Sequence, residues 1–241
     1  MVHATDERLR EQAKRLAASL LLQLSRENKA DGTGVARLLP SKAEFDIDVD
    51  DSLEAIIEAK AQGHSPNIED LRSRAWAKPP LAVCLVIDAS GSMNGARLAA
   101  ASLLASAVCL RAPQEHAVIA FAKNPAFLRR ITSSSSNETV IDRVLSLRGH
   151  GITGLRDALA AAHAELSRAR ATRKVVLLMS DCRATDDNDA DRVAGQIENL
   201  RIIAPYDDHD EAAAFAARCN AKWAAPESFA TIPSVVRELI R

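Results

Sequence analysis

Aromatic side chains are scarce: two Trp, one Tyr and five Phe make up 3% of 241 residues. A core short of large rings must be filled by Leu, Val, Ile and many alanines, which suits close packing of helices on a sheet. Neither charge sign dominates. With 31 basic and 32 acidic residues the formal net charge is −1, whereas a general nucleic-acid binder shows a basic excess. The four cysteines (Cys84, Cys109, Cys182 and Cys219) stand far apart with no Cys-x-x-Cys pair. That spacing favours four inert thiols in a reducing compartment over a redox or zinc cluster. Long apolar runs are also missing. Leu16 to Leu24 is broken by Ser19 and Gln23 and falls far short of the ~20 residues that span a bilayer. Met1 to Lys14 is charged throughout, without the apolar centre of a secretory signal. The expectation is a soluble, cytoplasmic protein with no membrane span and no nucleic-acid partner. No Gly-x-x-x-x-Gly-Lys-[Ser/Thr] loop occurs, so this chain is not expected to hydrolyse ATP.

A hydrophobic content of 47% is enough to bury one domain of ordinary size plus an appendage. Residues 1–78 read as the appendage, an N-terminal helical arm. Asp6 to Glu27 carries Leu or Ala at 9, 13, 16, 20 and 24 with charges between, the period of an amphipathic helix. Asp31-Gly32-Thr33-Gly34 breaks it. Phe45 to Asp50 alternates apolar and acidic residues and predicts an edge strand, with Asp50 or Asp51 capping a helix from Ser52 to Lys60. A calcium loop fits the alternating acids poorly. Asp51 stands where the turn needs glycine, and Ile57 where the twelfth ligand should be glutamate. One short helix is expected after Pro66, and Pro79-Pro80 marks the boundary.

From Leu81 to the end, strands and helices alternate, which predicts a Rossmann-like, doubly wound α/β domain over 79–241. Its mostly parallel central sheet would carry helices on both faces. Two runs organise it. Leu81 to Asp88 (LAVCLVID) and Lys174 to Asp181 (KVVLLMSD) are almost wholly apolar and each ends on aspartate. Such runs read as central parallel strands buried on both faces. Their carboxyl ends share the sheet edge where open α/β sheets build sites.

The first run continues Asp88-Ala89-Ser90-Gly91-Ser92, so one turn offers a carboxylate and two hydroxyls, all hard oxygen donors suited to magnesium. Gly149-x-Gly151-x-Thr153 adds a hydroxyl on a glycine-rich loop, and Asp181 a second carboxylate. In this arrangement the chain resembles the von Willebrand factor A family, whose metal-ion-dependent adhesion site has the pattern D-x-S-x-S, distant Thr, distant Asp. Asp88, Ser90, Ser92, Thr153 and Asp181 match the five positions in order. The resemblance implies a divalent cation, Mg2+ with Mn2+ as a substitute. Ser90, Ser92 and Thr153 would be direct ligands, and Asp88 and Asp181 would act through bound water. A partner's glutamate or aspartate would complete the shell.

Around these positions, His150 reads as a solvent-facing loop histidine. Arg183 is either solvated or placed to receive an acidic partner. Asp186, Asp187, Asp189 and Asp191 read as helix-start acids favoured by the dipole, with a second cation as the other reading. Enzyme chemistry is not expected, because a nucleophile paired with a base is missing. Metal-assisted phosphoester hydrolysis, with His150 as the only nearby base, is the alternative. A narrower resemblance rests on Ala89 to Met93, Leu147 to Gly151 and Leu178 to Thr185. It is to bacterial intracellular members of the CoxE-like and magnesium-chelatase D-subunit type. It implies an adaptor or co-chaperone working with a MoxR-type AAA+ ATPase in metal-cofactor insertion or protein maturation. The chain lacks the AAA-like and acidic linker regions of a whole chelatase subunit, and its short arm fits a small companion better.

Overall fold

The computed structural model describes residues 35–40, 47–77, 80–90, 95–147, 151, 153–183 and 189–241. The expected helix over Asp6 to Glu27 lies outside them. The chain divides into two compact units, one of which is Lys29–Pro80 and the other of which contains Leu81–Arg241.

In the smaller unit, strand β1 (Val35–Pro40) pairs antiparallel with β2 (Arg72–Ala77), and helix α1 (Val49–Ala61) lies between them in sequence. Of the edge strand expected over Phe45 to Asp50, the described residues keep only a single bridge at Ile47. Val49 and Asp50 are already helical, and Asp48 is the N-cap, its side chain accepting from Asp51 N at 3.3 Å. Capping outweighs the alternating pattern because it satisfies an amide that the helix start would otherwise leave open. Ser52, buried on α1, ties the helix to β2: Arg72 N donates to its hydroxyl at 2.8 Å. A single 3-10 turn, Ile68–Asp70, supplies the short helix expected after Pro66.

The larger unit is a six-stranded sheet. Strand β3 (Leu81–Asp88) lies at its centre, with β4 (Glu115–Phe121) and then β5 (Pro125–Arg129) on one side. On the other side lie β6 (Arg173–Met179), β7 (Leu200–Ile203) and β8 (Lys222–Ala224). All neighbouring pairs are parallel except β4–β5. The chain therefore winds outward one way from β3 and the other way from β6, so the crevice between these two is the switch point.

Side-chain alternation on β3 divides the core. Ala82, Cys84 and Val86 pack with α4 (Leu155–Leu166), α5 (Ala190–Ala194) and α6 (Asp210–Arg218). Val83, Leu85 and Ile87 pack with α2 (Gly95–Arg111), α3 (Asn137–Leu145) and α7 (Ile232–Leu239). This is the expected mostly parallel α/β fold with helices on both faces. Small residues explain how closely α2 approaches: Ala101, Ala105 and Ala107 are buried beside Leu103, Leu104 and Val108. Its two buried hydroxyls, Ser102 and Ser106, donate to Ala99 O and Ser102 O, so neither is left unsatisfied. Truncating a fully buried β3 side chain such as Leu85 to alanine would cost about 2–5 kcal/mol.

Candidate metal centre

Asp88 closes β3 and is only 4% exposed. Both carboxylate oxygens have donors: Ser90 N reaches Oδ1 at 2.9 Å, and Ser180 Oγ reaches Oδ2 at 2.6 Å. Burial pushes the Asp88 carboxyl above the usual carboxylate range. The two serines pull it back, and the charge of Asp181 pushes it up again. The two aspartates thus share one low-dielectric crevice, and the charge of Asp181 raises the cost of ionising Asp88. A cation held between them would remove that cost.

Asp181 lies two residues past the end of β6, which stops at Met179. Its Oδ1 accepts from Arg183 N at 3.0 Å, a tight turn that aims the carboxylate back at the sheet edge. Cys182 between them has φ +59°, a left-handed backbone that costs a non-glycine residue roughly 1–2 kcal/mol. That conformation is held by the Ser180 hydroxyl, which accepts from Cys182 N at 2.9 Å, and by burial of the thiol. Ser180 therefore braces Asp88 and the Asp181 turn with a single oxygen. The sequence reading did not single it out; the only signal was its place directly before Asp181.

Thr153 is brought to the same edge by backbone bonds. Ala89 N donates to Phe121 O at 2.6 Å and Gly154 N to Ala122 O at 2.7 Å. The segments bearing Ser90 and Thr153 are thus anchored on consecutive carbonyls, the last of β4 and the first beyond it. Gly154 is required there, since a Cβ would sit 2.3 Å from Lys123 O. Gly151 has φ +84° with open space around it. Ser90 and Thr153 are both buried, at 7% and 5% exposure. Ser92 and His150 lie outside the described residues, as do Asp186 and Asp187.

Of the five expected site residues, Asp88, Ser90 and Asp181 lie together at the β3–β6 edge, and the Thr153 loop is anchored beside them at the end of β4. Their oxygen-only donor set fits a hard divalent cation. Ser90 and Thr153 would hold it. Asp88, with both oxygens already accepting protein donors, and Asp181 would balance its charge. Among the described residues, no group of three or more His, Cys, Asp or Glu is placed to hold a metal ion. The candidate site differs from such a cluster because its donors are mainly hydroxyls.

A resident cation already faces this edge. Arg97, on the first turn of α2, lies 3.8 Å from Asp181 Oδ2 and 3.7 Å from Asp208 Oδ2. Asp208 also takes Arg183, whose side chain is 61% exposed. The remaining acids have local uses: Asp189 caps α5 through Arg192 N, and Asp191 pairs with Arg218 at 2.9 Å. The cysteines are free thiols, three buried and one half-buried. Burial raises all four, with Cys109 and Cys219 pushed up to about 11. They are inert at neutral pH.

Residues 83–183 match the family model of the von Willebrand factor type A domain. Solved structures with similar folds include an aerotolerance-related membrane protein from Bacteroides fragilis carrying multiple mutations to serines. It has 14% identity and a TM-score of 0.55, over 66% of this chain and 98% of that one. A von Willebrand factor type A protein from Catenulispora acidiphila aligns at 18% identity and TM-score 0.55, over 70% of this chain and 44% of that one. Proximal thread matrix protein 1 from the mussel byssus aligns at 15% and 0.55, over 66% and 45%. The match thus spans less than half the length of the latter two. At these identities the likeness establishes the fold alone. No curated protein matches the sequence. Residues 83–183, less than half of the chain, are thus similar to von Willebrand factor type A domains. Among the described residues, no helix is long and apolar enough to cross a membrane.

Proposed function

We propose that this protein is a metal-dependent interaction module, not an enzyme, that captures a carboxylate presented by a protein partner. One observation supports the reading: buried Asp88, Ser90 and Asp181 share the β3–β6 edge, the buried Thr153 loop is anchored at the end of the neighbouring β4, and Asp181 raises the cost of ionising Asp88. Neutral hydroxyl ligands leave a bound Mg2+ electrophilic, so a partner's glutamate or aspartate can complete its shell. Ser90 and Thr153 position that shell, with Ser92 as the third hydroxyl. Ser180 and the backbone amide of Ser90 hold Asp88 in place, and Arg183 N holds Asp181.

The partner is proposed to be a MoxR-type AAA+ ATPase or its client, with the protein acting as adaptor or co-chaperone in metal-cofactor insertion or protein maturation. The support is the resemblance of Ala89 to Met93, Leu147 to Gly151 and Leu178 to Thr185 to CoxE-like and chelatase-D-type proteins. The test is affinity purification from the native host with Mg2+, with a chelator, and with Asp88→Ala. A AAA+ ATPase or client recovered only with Mg2+ and wild-type protein supports the reading. A partner recovered equally in all three overturns it.

A further inference from the structure

The loop from β7 to α6 reads Tyr206-Asp207-Asp208-His209-Asp210-Glu211. It begins at the carboxyl edge of the sheet, where Asp208 meets both Arg97 and Arg183 beside the candidate metal centre. The chain's only tyrosine is in this loop, 55% exposed, and Trp223, one of only two tryptophans, is 38% exposed. His209 stacks on Trp223 with ring centroids 5.7 Å apart, and the Tyr206 ring lies tilted with its centroid 6.4 Å from that of His209. A donated bond fixes the histidine: its Nδ1 lies 2.8 Å from Tyr206 O. In a chain with so few rings, this is a rigid, solvent-facing aromatic platform.

The same loop lines a cavity of about 570 Å3. Asp189, Asp191, Asp210 and Glu211 contribute carboxylates to it, against the guanidiniums of Arg183 and Arg218. Arg218 is shared between Asp191 and Glu211, and it lies 5.6 Å over the Phe215 ring. The lining is therefore net negative, and Asp207 adds to the acidic rim. Ring faces and carboxylates both attract cations.

We propose that this platform and acidic cavity form a docking surface for a basic segment of the protein partner. One arginine or lysine would lie over the Tyr206–His209–Trp223 rings, and a second would enter the cavity at Asp210. The inference rests on the reading that this edge captures a protein, but its contacts do not run through the metal. Arginine fits best, because its planar guanidinium stacks on rings and pairs with carboxylates at once.

The test is an NMR titration of the full chain with acetyl-Arg-Gly-Arg-amide and with its citrulline counterpart, in Mg2+ and again in EDTA, following the Trp223 indole in wild type and the backbone amides of Tyr206 to Glu211 in every variant. The arginine peptide should shift the indole saturably in both buffers, and the citrulline peptide should not. Trp223→Ala should bind about threefold to tenfold more weakly, the range of one cation–ring contact, with Trp223→Phe largely retaining affinity. Asp210→Asn, an exposed change, should weaken binding in the same direction. Equal shifts from both peptides, or unchanged affinity in Trp223→Ala and Asp210→Asn, overturns the assignment. Loss of Mg2+ binding alone leaves these shifts in place, so the two readings fail separately.

Discussion

Gly154→Ala probes how the threonine loop is held. An added Cβ at Gly154 would lie 2.3 Å from Lys123 O, 3.1 Å from Lys123 C and 3.2 Å from Ala122 O, all backbone atoms. A comfortable carbon–oxygen approach is about 3.3 Å or more, so the loop must retreat by roughly 1 Å. Retreat lengthens the Gly154 N to Ala122 O bond from 2.7 Å and carries Thr153 with it. Overpacking of this kind costs about 1–3 kcal/mol. An ångström of displacement at a ligand should also lower Mg2+ affinity by at least about tenfold, since magnesium tolerates little distortion. Gly151→Ala is the control. It meets no atom within 4 Å, so only the left-handed backbone, about 1–2 kcal/mol, opposes it. Urea denaturation and calorimetric Mg2+ titration of both variants read the two effects. If Gly154→Ala were as stable as wild type and bound metal equally, the close approach would not be what positions Thr153.

Ser180→Ala removes the donor to Asp88 Oδ2 and the acceptor for Cys182 N, both buried. The loss should be about 1–3 kcal/mol by denaturation; an unchanged midpoint would deny the bracing role. Arg97→Ala removes a cation 3.8 Å from Asp181 in a partly exposed pair. After allowing for solvent screening, Mn2+ should bind about threefold to tenfold tighter by calorimetry, and weaker binding would refute the competition. His116 is fully buried and lowered from 6.5 to about 4, by burial first and by the Arg129 charge second. Its Nδ1 lies 2.8 Å from Ala112 O, and Cys109 Sγ lies 3.3 Å from its Nε2. The unfolded chain binds the extra proton between these values, so stability falls as pH drops from about 6.5 toward 4, by roughly 3 kcal/mol. His116→Gln should flatten that part of the urea–pH profile, and an unaltered slope would assign it elsewhere.

The sheet was legible because LAVCLVID and KVVLLMSD are buried on both faces, and a strand with two packed faces shows it in unbroken apolar sequence. Asp88 and Asp181 were legible because they end or closely follow those strands, whereas Thr153 lies on a loop and was read from its glycine-rich pattern and the family resemblance. Local competition explains the boundary error in the N-terminal unit. At Phe45 to Asp50, a period of two concealed a cap at Asp48. Ser180 and Arg97 were missed for another reason, since their partners are 92 and 84 residues away or more in sequence. Arg97 still left a trace. A cation in the first turn of an otherwise apolar helix opposes the dipole, and so signals an anion nearby.

The central claim is a divalent-cation site built from Asp88, Ser90, Thr153 and Asp181, and calorimetric titration of Mg2+ into the full chain tests it most directly. Wild type, Thr153→Ala and Asp88→Asn should be compared at neutral pH. Burial raises the Asp88 carboxyl, so its ionised form opposes folding at neutral pH. Its contribution is most favourable below the unfolded value of about 3.9 and is lost as pH rises through the raised one. Asp88→Asn should therefore be at least as stable as metal-free wild type. The account predicts one saturable site in wild type, and its loss in both variants with the fold intact. No saturable binding to wild type, or binding undiminished in both variants, would contradict it.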